Sequence, residues 1–565
     1  MSNKARRMLV LLLIILKEAG PTAAHDCSCF SDCICRDRLL TSVPQDLPTN
    51  ITFLDLYYNA ITTLGQSDFS RYRSLTRLDL GSNQISMIHN KTFHSLTSLI
   101  ELLLYNNRLT TLPADIFEGL GNLQRLDLDN NQLTSLTAGI FEGLGNLQWL
   151  YLDNNELTSL PADIFEGLGN LRHLYLHNNQ LSLPADIFVG LGNLQSLYLY
   201  NNQLTSLPAD IFVGLGNLQS LYIFNNQLTS LSADIFVGLG NLQWLDLHNN
   251  QLTSLPAGIF VGLGNLQWLY LHNNCELTSL PADIFVGLGN LQRLYLYNNQ
   301  LTSLSADIFV GLGNVKELGL DRNNIHSIEA GTFNGTTQLR SLDLEYNNIR
   351  TITADTFGNL LQLQTLKLSH NNINTFPVEA LSNLQISALS ELTLHNNQLE
   401  TLPVMAYDIL ASISTVTIFN NPWQCDCRMV PFRQRMNGSY PFEDQIRCAG
   451  PANLRWQLLR DVNPDNLICE EKTPVYSTSS TESNIGPADG GIVLSVPFLA
   501  TLGAVLGLLL IYTIAFAVGC MYKRRQRDPT PQQGFSNTNP TGTASGHDQI
   551  MLQAVGTKCR NNQSV

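Results

Sequence analysis

From Ile51 to about residue 423, apolar residues fall at fixed offsets, L-x-x-L-x-L-x-x-N-x-L, and the pattern returns at intervals close to 24 residues. It opens as Ile51, Leu54, Leu56, Asn59, Ile61 and closes as Leu389, Leu392, Leu394, Asn397, Leu399, followed by a variant at Ile413, Val416, Ile418 and Asn421, for sixteen units in all. A fixed period of this size predicts a solenoid, because one turn cannot bury its apolar face alone and stacking supplies a continuous core. Within each L-x-L centre, alternation with period two predicts a short strand, with Leu150 and Leu152 pointing inward and Tyr151 outward onto a sheet. The asparagine after each strand, such as Asn131 or Asn155, turns the chain away. Its amide can bond backbone groups of adjacent turns that would otherwise be buried unpaired.

A second column lies on the returning side: Phe69, Phe93, Phe117, Phe141, Phe165, Phe188, Phe212, Phe236, Phe260, Phe285, Phe309, Phe333 and Phe357. It predicts an aromatic spine. One residue is missing between Phe165 and Phe188 and one is added between Phe260 and Phe285, changes expected to distort single turns only. The added residue neighbours Cys275, which leaves the outer half with an odd cysteine and is expected as a buried thiol at the asparagine position, ahead of an intermolecular disulfide or a reactive thiol.

The two ends of the chain change the picture. Lys4, Arg6 and Arg7, an apolar run from Met8 to Leu16, and Thr22-Ala23-Ala24 have the layout of a secretory signal over residues 1–24. Residues 491–522 contain an uncharged apolar stretch from Ile492 to Cys520, long enough for a membrane-spanning helix, followed by Lys523, Arg524, Arg525 and Arg527. The basic flank places residues 523–565 in the cytoplasm, so the expected topology is single-pass type I at the plasma membrane, N-terminus outside. Gly503 and Gly507 have the small-xxx-small spacing of a helix dimer, and Cys520 is a palmitoylation candidate. Residues 471–490 read as a stalk.

A net charge of -14 without a basic stripe excludes nucleic acid as the expected partner. No nucleophile motif is present and no cofactor is expected; the chain reads as a binding protein and not an enzyme. Cys27, Cys29, Cys33 and Cys35 stand in residues 25–50, before the repeats of 51–421, and Cys425, Cys427, Cys448 and Cys469 in residues 422–470, after them. An exported chain holds such clusters as disulfides, which here would cap the two open ends of the core, and spacing alone allows three pairings per cluster. A zinc site is disfavoured by the oxidising compartment and the lack of neighbouring histidines.

The unit running from Gly121 through Asn131-Gln-Leu-Thr-Ser-Leu, with its cysteine-rich flanks, resembles the extracellular leucine-rich-repeat receptor family over residues 27–469. The near-uniform inner repeats are most similar to variable lymphocyte receptors, and more distantly to Toll-like receptors and platelet glycoprotein Ib. The resemblance implies an α/β-type horseshoe with a parallel concave sheet, and cap disulfides Cys425–Cys448, Cys427–Cys469, Cys27–Cys33 and Cys29–Cys35.

Comparison of the repeats with one another shows where they differ. One outward column reads Arg125, Trp149, His173, Ser196, Ser220, Trp244, Trp268 and Arg293. The next reads Asp127, Tyr151, Tyr175, Tyr198, Tyr222, Asp246, Tyr270 and Tyr295; the third reads Asp129, Asp153, His177, Tyr200, Phe224, His248, His272 and Tyr297. Tyr and Trp dominate interface energetics, so these columns are the candidate site for a protein or glycan ligand, while self-stacking that stabilises the sheet is the competing explanation. The sequons at Asn50, Asn90, Asn334 and Asn437 lie outside the central block of 107–314 and leave its middle bare. The expected function is recognition of foreign or self ligands in the manner of immune receptors, with cell adhesion to a protein on another cell as the alternative. The tail is too short for a signalling domain, so signalling would need a partner.

Overall fold

The computed structural model describes residues 27–469. The expected signal, stalk, membrane helix with Gly503 and Gly507, and basic tail lie outside the described residues; within them, no helix is long and apolar enough to cross a membrane.

Each L-x-L centre forms a three-residue strand, such as Trp149–Tyr151, His173–Tyr175 and Ser196–Tyr198. The strands pair in parallel and in register, Leu150 beside Leu174 beside Leu197, and so build one face of an 18-stranded sheet. The expected α/β layering is corrected: the return arms are mostly chains of tight turns, and among the described residues α-helices occur at Val378–Ser382 and Val404–Ala411 in the last repeats and at Val430–Arg433 in the C-terminal cap. Glycine is the reason. Gly214, with φ +90°, takes a backbone conformation open to few other residues and ends the turn that Pro208 to Val213 begin; the same position holds glycine in most turns.

The interior has two columns that serve every turn. The Phe rings from Phe117 to Phe357 lie at most 1% exposed with neighbouring centroids 5.7–6.4 Å apart. The missing and added residues leave this spine intact, at 6.3 Å for both Phe165–Phe188 and Phe260–Phe285. The asparagines form the expected ladder. Asn226 Nδ2 donates to Leu199 O in the preceding turn at 3.0 Å and to Ile223 O in its own at 2.9 Å, while its Oδ1 accepts from Leu204 N at 3.1 Å. Backbone groups that no strand reaches are thereby satisfied.

Cys275 departs from expectation. Asn274 keeps the ladder position, bonded to Leu271 O and accepting from Leu252 N, and Cys275 is the inserted, half-buried residue beside it. The ladder selects Asn because the site needs two donors and an acceptor, which a thiol does not offer. A second amide row, on residues with left-handed φ, runs Asn154, Asn178, Asn201, Asn225, Asn249 at 2.5–2.7 Å per step. It stops at Asn249, whose Oδ1 is buried without a partner, one turn before the insertion.

Both ends of the core are covered. At the N-terminus Ser28–Cys29 and Asp32–Ile34 form an antiparallel hairpin whose second strand pairs with Phe53–Asp55. The disulfides there are Cys27–Cys35 and Cys29–Cys33, nested and not interlaced as the family resemblance implied. Hairpin register dictates this: Cys29 sits opposite Cys33, so the next like-facing pair outward is Cys27 with Cys35. At the other end the disulfides are Cys425–Cys448 and Cys427–Cys469. Gln445 closes the last sheet edge as an added strand would, Nε2 donating to Val416 O at 2.9 Å and Oε1 accepting from Ile418 N at 2.8 Å.

Candidate functional site

The outward residues of consecutive strands are brought into contact by the sheet spacing, and their rings stack. In the middle column Tyr151, Tyr175, Tyr198 and Tyr222 lie 4.3, 4.4 and 4.9 Å apart, within 8° of parallel. Asp246 interrupts this column, and Trp244 leans into the gap, 5.9 Å from Tyr222 and 5.2 Å from Tyr270. Tyr270 stacks on Tyr295 at 5.1 Å. The ribbon starts beneath Arg125, whose guanidinium lies 4.9 Å from the Tyr151 ring while bonding Asp127, and ends where the Tyr295 hydroxyl donates to Glu317 at 2.7 Å. Beyond Tyr295 the column holds Gly319, where an added Cβ would come within 3.2 Å of the ring.

The third column forms a parallel ribbon: His177, Tyr200, Phe224, His248, His272 and Tyr297 at successive distances of 4.2, 4.3, 4.5, 4.4 and 4.2 Å. In the first column Trp149 stacks on His173 at 6.0 Å and Trp244 meets Trp268 at 5.1 Å, with Ser196 and Ser220 between the two pairs. Arg293, at the end of that column, is held 3.2 Å from Glu317. Trp149, Tyr151, His173, Tyr175, Tyr198, Tyr200, Tyr222, Phe224, Trp244, Trp268, Tyr270, Arg293 and Tyr295 are all half-buried on this one face.

Because each ring covers its neighbours' faces, the two ribbons present edges and, at the tyrosines, hydroxyls. Burial pushes Tyr200 and Tyr222 up to about 12, so those hydroxyls remain donors as well as acceptors at physiological pH. Asp246 stands in the concave column between Tyr222 and Tyr270 but is only 6% exposed: its carboxylate accepts from His248 N at 3.2 Å and lies 2.5 Å from His248 Nδ1. Asp79 and Asp343 make the same bond to the backbone two residues on, so aspartate in this column is a strand-end brace.

The ribbon's first turns are acidic. Burial pushes Asp127 up to about 6 against the opposing pull of Arg125, and burial with the nearby Asp129 pushes Asp153 up to about 7. His177, 3.2 Å from Asp153, is lowered to about 4 by burial. His272 is held well below the usual imidazole range by burial and by the neighbouring His248. The His248 and His272 rings lie 8° from parallel at 4.4 Å, which keeps their in-plane lone pairs from meeting on one ion in this arrangement. Asn50, Asn90, Asn334 and Asn437 are all exposed.

The column listing did not foresee Trp244 crossing into its neighbour's column, although the lone Asp between two tyrosine runs beside a Trp was the available signal.

A curved, disulfide-capped parallel-sheet solenoid with a rigid aromatic face defines the class of molecule. The family model described as Leucine rich repeat matches residues 73–133, 121–181, 181–228, 217–275, 273–325, 313–373 and 337–399, and the chain belongs to the leucine-rich-repeat family. Among curated proteins it is 40% identical over 63 residues to the human platelet glycoprotein Ib beta chain, covering 11% of this chain and 30% of that one. It is 41% identical over 56 residues to Toll-like receptor 3 of Bos taurus, covering 10% and 6%. The chain thus spans well under half the length of these relatives. Among solved structures, the Drosophila Toll–Spatzle complex aligns with a TM-score of 0.62 at 26% identity, covering 76% of this chain and 63% of that one. A leucine-rich-repeat protein of Leptospira interrogans aligns at 0.52 and 32%, covering 72% and 91%.

Proposed function

We propose that this protein is a single-pass cell-surface receptor that binds a macromolecular ligand on the centre of its concave sheet, as an immune-type recognition receptor. The carrying observation is the pair of stacked ribbons from Tyr151 to Tyr295 and from His177 to Tyr297. Self-stacking accounts for their order but leaves every member partly open to solvent apart from buried His272, and rigid aromatic edges with protonated hydroxyls recognise a partner at low entropic cost. Edge presentation favours a protein ligand, bonded through the tyrosine hydroxyls, over a glycan that would need free ring faces. The variable columns on a constant scaffold, similar in this to variable lymphocyte receptors, support recognition; the signal and apolar stretch of the sequence support the topology.

The test is a binding screen of the full chain on cells against microbial surfaces and host surface proteins, beside a Trp149→Ala, Trp244→Ala, Trp268→Ala variant. Microbial binding lost in the folded variant is the expected result. Binding only to a host surface protein would turn the reading to adhesion, and binding untouched by the three substitutions would remove the concave face from it.

A further inference from the structure

On the opposite side of the same turns the return arm reads Ala-Asp-Ile-Phe-Val-Gly in most of the repeats from 185 to 311. Ile and Phe go inward, as at Ile211 and Phe212, and Asp and Val are left outside as the two ends of one tight turn. Val213 N donates to Asp210 O at 3.0 Å, Val237 N to Asp234 O at 2.9 Å, and Val286 N to Asp283 O at 3.0 Å. The valines at 189, 213, 237, 261, 286 and 310 are 42–63% exposed. A single exposed valine needs no explanation, but six in one column over consecutive turns make a contiguous apolar stripe. Its steps follow the Phe rings beneath, 6.1–6.4 Å apart.

Packing does not require valine there. The same column holds Glu118, Glu142 and Glu166 in the three preceding turns, over the same buried Phe, and the exposed sequon residue Asn334 in the turn after Val310. Alongside the stripe runs a row of exposed carboxylates, Asp186, Asp210, Asp234, Asp283 and Asp307, and among the described residues none of them is in an ion pair. Apolar side chains in line beside unpaired acidic ones are half of a complementary pattern.

We infer that this convex stripe docks an amphipathic cationic segment of a partner protein, its apolar side on the valines and its Lys or Arg side chains on the aspartates. A second copy of this chain would bring its own aspartates to the contact, and an anionic membrane surface would be repelled by the same row. The site is separate from the concave face, so both can be filled together.

The experiment uses the full chain in nanodiscs of uncharged lipid and, as probe, a fluorescein-labelled amphipathic helix of Leu and Lys, with a Leu and Glu helix as control. Wild type should bind the Lys helix and not the Glu helix. Affinity should fall at least tenfold in a Val213→Ser, Val237→Ser, Val261→Ser variant and likewise in Asp210→Asn, Asp234→Asn. All five positions are exposed, and an unchanged melting temperature will show that the fold is kept. Equal binding by the serine variant would reduce the contact to bulk charge attraction and overturn the proposal. So would absence of binding to wild type, or self-association of wild type that the serine substitutions abolish.

Discussion

The two sides of the same turns treat aromatic rings differently. From Tyr151 to Tyr222 the concave rings are 4.3–4.9 Å apart, whereas Phe141 to Phe236, on the return side of those turns, are 6.3–6.4 Å apart. The wider outer step is the curvature of the solenoid. Outside, identical buried Phe residues fill it; inside, the short step brings the rings of the middle and third columns into face-to-face contact. The interior columns therefore hold the scaffold and tolerate little change, while the concave columns can change residue by residue as long as neighbours still stack.

That division is broken most directly by emptying the spine. Phe212→Ala should cost about 3–5 kcal/mol through its cavity and lost burial, read as a lower denaturation midpoint. Asn226→Ala should come next, at about 2 kcal/mol, since it removes the partner of buried Leu204 N and one of the two ladder amides on each of Leu199 O and Ile223 O. A concave substitution as destabilising as either would erase the distinction.

His272 sharpens it from the other side. Its folded pKa is depressed by burial, so its share of stability is present above the unfolded value near 6.5 and is lost as pH falls through it toward the lower folded value. Stability should therefore fall as pH is lowered from 7 to 5.5. His272→Phe, which keeps a ring between His248 and Tyr297, should flatten the pH dependence of the melting temperature over that window. Tyr198→Leu should have the smallest effect on stability, about 1 kcal/mol, because it removes stacking on two neighbours and no core contact.

The scaffold was legible because it is written sixteen times: Leu, Asn and Phe recur at offsets whose geometry is fixed by strand and turn. What stayed hidden depends on single neighbours. The N-terminal disulfides follow from a hairpin whose centre, Ser31, is also the centre of symmetry of Cys27, Cys29, Cys33 and Cys35, a symmetry the family resemblance overrode. Asp246 stands in its outward column, yet its burial was not legible, because a short side chain at a strand end bonds the backbone two residues on and is covered by its longer neighbours. Cys275 looked like a ladder residue by its adjacency to Asn274, but the amide supplies bonds that a cysteine side chain cannot. The edge-on presentation of the rings was not legible at all, since it needs the distance between strands and the rotamers together.

The most direct test of concave binding is a carbohydrate placed on the sheet. Ser220→Asn with Tyr222→Thr creates a sequon between the two tryptophan groups, and a mass shift reports its occupancy. Against the surface returned by the binding screen, the glycosylated protein should lose binding while melting no lower than Tyr222→Thr alone, and Ser220→Asn alone and Tyr222→Thr alone should each retain more binding than it does. Full binding by the glycosylated protein would contradict the account.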